Sequence, residues 1–161
     1  IFKMVKREYA PAQEALLAAL ETASMKPFAG QISEMGKMVK AVSSVPEKIS
    51  TVLNGMIGQT ITLQVDGRPL EIRLQAITEE LVRGRVARET GEQTVNFRVS
   101  NIPVEDQLKI LGKPATTEQR LVTCILLIRA GRYAEASAYA ADCGALSDTL
   151  QELLATLAPP S

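Results

Sequence analysis

The chain has 161 residues, 46% of them hydrophobic, with 18 basic and 18 acidic side chains, two cysteines, and no histidine or tryptophan. Without histidine, imidazole proton shuttling and most imidazole metal sites are excluded, and the charge balance removes the long-range field that steers many nucleic-acid and acidic-membrane binders. What remains has enough apolar residues for a real core, and length enough for one ordinary domain or two small ones.

The chain opens on Ile1 with no initiator methionine and no signal pattern, so it reads as a piece of a longer protein. No run approaches the ~20 apolar residues that span a bilayer. The longest, Cys124 to Ile128, sits between Thr123 and Arg129 and fits a buried helix.

Pro11 suits the first turn of a helix, where its missing N–H does no harm, and strong helix formers follow it. Leu16, Leu17, Leu20 and Ala23 make its apolar stripe, and Pro27 stops or resets it. Phe28, Ile32, Met35, Val39 and Val42 then recur at helical spacing and predict a second amphipathic helix. Ser44 suits the N-cap of a third, whose apolar side carries Ile49, Val52, Leu53, Met56 and Ile57 and which Gly58 ends. Met35, Met38 and Met56 read as gap-fillers in a core, with a partner groove as the alternative.

The period then changes from helical to alternating. Ile61, Leu63 and Val65 alternate with polar residues, Asp66-Gly67-Arg68-Pro69 turns the chain, and Leu70, Ile72, Leu74 and Ala76 alternate on the way back. A third strand, Leu81 to Arg88, sets Val82, Gly84 and Val86 on one face and Arg83 and Arg85 on the other. A fourth, after Thr90-Gly91, carries Val95, Phe97 and Val99 inward. Such strands must curl into a small barrel or rest on helices. The expected form is a barrel over Gln59 to Val99 with Val65, Leu74, Val86 and Phe97 inside, and Gly84 marks a bend or bulge.

Asn101-Ile102-Pro103 closes the strand region, and Val104 to Leu111 reads as a short helix with Glu105 and Asp106 compensating its dipole. Thr116 or Thr117 caps the next helix, apolar on several sides through Leu121, Val122, Ile125, Leu126 and Ile128 and therefore the most buried. Gly131 ends it. A short helix turns Tyr133, Ala136, Ala140 and Cys143 inward, and the last helix carries Leu146, Leu150, Leu153, Leu154 and Leu157. Cys124 and Cys143 face one core in this reading. Two buried free thiols are expected, with a disulfide or a reactive pair as alternatives, so the compartment stays open.

Two resemblances follow from these segments. Gly131-Arg132-Tyr133-Ala134-Glu135-Ala136, with Ala140 and Cys143, resembles the turn and second helix of a tetratricopeptide unit. One such unit without a second copy implies packing rather than a concave peptide groove. The run from Gly58 to Val86 is similar to the start of SH3-like and Sm-like small barrels. The later Val95, Phe97, Val99, Ile102, Pro103, Glu105, Asp106 and Leu108 are similar to the end of the SLA1 homology type. The tryptophan and aromatic ladder of peptide-binding SH3 domains are missing.

The expected fold class is thus α+β: a small antiparallel SH3-like β-barrel at 59–112, flanked by N-terminal helices at 1–58 and a C-terminal three-helix segment at 113–161, in one contiguous body. Arg73, Arg83, Arg85 and Arg98 alternate with core positions and form the candidate interaction face. Six basic and six acidic residues between Gln59 and Ile102 also allow a merely solvated, ion-paired surface. Glu79-Glu80 lacks a second cluster of metal ligands, Ser43 and Ser44 lack a base, and no phosphate-binding glycine fingerprint occurs. Catalytic, cofactor and metal residues are therefore expected to be none. The expected function is a non-catalytic accessory or scaffold module contacting a protein or a neighbouring domain, with a nucleic-acid-associated barrel as the alternative.

Overall fold

The computed structural model describes residues 6–65, 68–89 and 91–157, without the side chains of Ala23 and Val65. The expectations for those two side chains, for the turn residues Asp66, Gly67 and Thr90, and for Pro159-Pro160 lie outside what is described.

Pro27 sets the first corner of the chain. It cannot donate into a helix ladder, and around it the backbone tightens into a 3-10 helix at Ala23–Phe28. Helix α1 (Tyr9–Glu21) precedes this corner and α2 (Ala29–Ser43) follows it. The inward stripe of α1 is Tyr9, Ala12, Leu16 and Ala19, offset from the leucine stripe read from the sequence. Leu17 is 62% exposed and Leu20 42% exposed. The reason is steric. Helix α1 is apolar nearly all round, so the small Ala12 and Ala19 select the face that approaches α2. Helix α2 buries Ile32, Met38, Val39, Ala41 and Val42, and Met38 is a core residue. Phe28, expected in that core, is exposed.

The chain divides into two compact units, Ile1–Ser44 with Pro114–Ser161, and Val45–Lys113. In the first, α2 packs against α1 and α5 (Thr117–Arg129), α5 against α6 (Tyr133–Ala140), and α6 against α7 (Ser147–Leu157). Thr116 caps α5 in a reciprocal box: its hydroxyl accepts from the Gln119 N–H, and the Gln119 side chain accepts from the Thr116 N–H. Every residue from Leu121 to Ile128 is buried. At the end of α5, Arg129 donates to the Tyr9 hydroxyl at 2.6 Å and lies 5.5 Å from its ring centre. Burial lowers the Arg129 pKa, and the contact with Tyr9 opposes that loss of charge.

The second unit begins with α3 (Val45–Asn54), which buries Val45, Ile49 and Leu53. Ser44 does not cap it. That hydroxyl donates back to the Ala41 carbonyl at 2.9 Å, closing the end of α2 instead. Helix α3 is shorter than expected, so Ile57 lies beyond its end and is exposed, while Val52, within the helix, is exposed away from the buried Val45, Ile49 and Leu53.

Strands β1 (Thr60–Val65), β2 (Arg68–Thr78), β3 (Leu81–Arg88) and β4 (Gly91–Arg98) form one antiparallel sheet in the order β1-β2-β3-β4. It is an open sheet with β1 and β4 at its edges, not the closed barrel expected. Resting on helices is the solution found: α3 packs on β2 and on α4 (Val104–Leu111). Leu63, Ile72, Leu74, Val82 and Val86 are buried on the inner face, while Val95 and Phe97 near the β4 edge are half-buried. Val99 is buried but has left the strand for a 3-10 turn.

Candidate interaction face

Cross-strand register decides which side chains share the outer face. Arg73 of β2 stands opposite Arg85 of β3, which stands opposite Thr94 of β4. Arg83 faces Asn96, and Leu81 faces Arg98. Paired residues project to the same side of a sheet, so Arg73, Arg83, Arg85 and Arg98 lie on one face. All are exposed.

Two features of the backbone bring them together. Register slips between Leu74 and Ala76, so that Leu74 pairs with Gly84 and Ala76 with Arg83. Such a bulge bends the strand and raises its twist. At that point a Cβ on Gly84 would sit 2.2 Å from Ile72 Cγ2 and 3.1 Å from the Arg73 carbonyl oxygen. Only glycine permits this approach, and its neighbours in sequence are Arg83 and Arg85.

The electrostatics are uneven. Arg85 pairs with Glu92 at 2.7 Å, and Arg83 donates to the Asn96 side-chain oxygen at 3.2 Å. Among the described residues no carboxylate forms an ion pair with Arg73, Arg83 or Arg98. Arg73 directly opposite Arg85 is a like-charge pair, in which Glu92 offsets the Arg85 charge and no described carboxylate pairs with Arg73. The balanced charge of the strand region also separates in space. Four arginines share the outer face with Glu71 and Glu92, while Glu79, Glu80 and Glu89 sit at or beside turns. Leu81, 44% exposed, adds an apolar element beside Arg98. Among the described residues of the strands no aromatic side chain joins this face, because Phe97 has the opposite parity.

Two arrangements in this unit have no local sequence signal. Asp106, expected only to complement a helix dipole, is 1% exposed. Its carboxylate accepts from the Gln64 N–H at 2.6 Å and from Lys109 at 2.8 Å, fixing α4 to edge strand β1. Glu79 and Glu80 meet Glu47, Ser50, Thr51 and Asn54 of α3 around an open cavity of about 370 Å³. Glu79 holds its turn at φ 54°. No cluster of three or more His, Cys, Asp or Glu side chains suited to a metal occurs among the described residues. The same holds for helices long and apolar enough to cross a membrane.

No family model, curated protein or solved structure matches the chain.

Proposed function

We propose that this chain is a non-catalytic accessory or scaffold module that docks an acidic protein surface, or an acidic neighbouring domain, on the arginine face of its sheet. The observation that carries this reading is the like-charge pair Arg73 and Arg85 on a face of four arginines and two glutamates. Guanidinium groups present planar forks that match carboxylates, so an acidic partner relieves their repulsion and gains directional hydrogen bonds. The exposed Leu81 favours protein over nucleic acid, and the lack of aromatics on the face removes the stacking that single-stranded nucleic acid needs.

The test is amide chemical-shift mapping with a Glu/Asp-rich peptide and, separately, a single-stranded oligonucleotide, at low and physiological salt. The peptide is expected to move the amides of β2, β3 and β4 around the four arginines. Changing all four to Gln is expected to weaken it at least roughly tenfold. Oligonucleotide binding that falls steeply with salt, without peptide binding, makes the nucleic-acid alternative correct. Equal peptide binding by the four-Gln chain removes the proposal.

A further inference from the structure

Cys124 and Cys143 stand nineteen residues apart in sequence yet meet where α5 packs on α6. The fully buried Ala136 and Ala140 keep that contact close. The Cys124 thiol donates to the Ala136 carbonyl at 3.5 Å, and the Cys143 thiol to the Tyr139 carbonyl at 3.1 Å. The two acceptor carbonyls lie on neighbouring turns of α6, so both sulfurs sit against the same stretch of that helix. Both are free thiols. Their surroundings differ: Cys124 is fully enclosed, whereas Cys143 retains 4% exposure just past the end of α6, beside the Arg120–Asp142 ion pair.

The geometry points to a redox modification site, in which a hydroperoxide oxidises Cys143 and Cys124 resolves it to an intrachain disulfide that staples α5 to the end of α6. The Cys143 thiolate attacks the terminal peroxide oxygen, the O–O bond breaks, and the products are the Cys143 sulfenic acid and the alkoxide, or with hydrogen peroxide the hydroxide, of the other oxygen. The Cys124 sulfur then attacks the Cys143 sulfur. Its proton and the sulfenic hydroxyl leave as water, so the pair gives up two electrons and the peroxide takes them. The assignment of roles follows from access, because only Cys143 touches the surface. The effect of each thiol on the other points the same way. The neighbouring Cys124 draws the Cys143 pKa down, against the burial that opposes it, while Cys143 and burial push Cys124 far up.

The experiment treats the folded full chain with hydrogen peroxide and maps thiols by alkylation and peptide mass spectrometry. The expected product is a single intrachain crosslink between Cys124 and Cys143, reversed by dithiothreitol. Its formation should raise the thermal midpoint by about 5 °C. Cys124→Ala should stop at a sulfenic acid on Cys143 that dimedone traps, and Cys143→Ser should leave Cys124 reduced under the same conditions. If a cysteine variant does not fold, the wild-type crosslink and its reversal still decide. Thiols that both remain free, crosslinks between chains, or trapping on Cys124 in Cys143→Ser overturn the assignment.

Discussion

The two faces of the sheet come from the same alternating segments and are held by opposite physics. On the inner face Ile72, Leu74, Val82 and Val86 are buried, and each contributes in proportion to the apolar area it removes from water. On the outer face Arg73, Arg83, Arg85 and Arg98 remain in water, where the Arg85–Glu92 ion pair has both side chains about half exposed. Such a pair contributes about 0–1 kcal/mol. Stability therefore belongs to one face and leaves the other free to carry repelling charges. A sheet that spends like charges on its exposed side gains nothing in folding from them, which is the reason to look there for a partner.

The contrast breaks most visibly at Leu74. Leu74→Ala should cost about 2–5 kcal/mol, read as a lower urea midpoint with unchanged slope. Next is Gly84, where the two faces meet. Gly84→Ala should cost about 1–3 kcal/mol, because the new methyl collides with Ile72 Cγ2. A double-mutant cycle sharpens this. In an Ile72→Ala background the same change should cost less, and an undiminished cost would place the strain on the Arg73 carbonyl instead. Asp106→Ala should cost about 1–2 kcal/mol, since it leaves the half-buried Gln64 N–H to water. Amide exchange at Gln64 should accelerate with it. Smallest of all, the four-Gln chain should unfold within about 1 kcal/mol of wild type.

Legibility from sequence followed how local the cause was. Strands β1 to β4 are visible as period-two segments because each alternation is set by a single buried face. Gly84 was readable as a bend because a glycine within a strand has few other uses. The arginine face was readable for the same reason, parity alone. What failed was tertiary. The sequence of α1 presents leucines on several sides, and nothing local says that Ala12 and Ala19 choose the packed one. Four alternating strands are compatible with a barrel or an open sheet, and here α3 packs on β2. Asp106 looked like any acid in a first helical turn. Its partner Gln64 lies 42 residues away, beyond the reach of any local pattern. The acidic cavity had the same origin, since Glu47 and the Glu79–Glu80 turn meet only through the fold.

The most direct test of the contact account is site-specific photo-crosslinking from the outer face. Thr94, exposed and directly opposite Arg85, can carry a photoreactive side chain without disturbing the core. Lys40, exposed on α2, serves as the control position in the same protein. The account predicts a crosslink from Thr94 to an Asp/Glu-rich segment of a partner or neighbouring domain, absent in the four-Gln background and absent from Lys40. A Thr94 crosslink of equal yield with all four arginines replaced, or crosslinks from Lys40 alone, would contradict it.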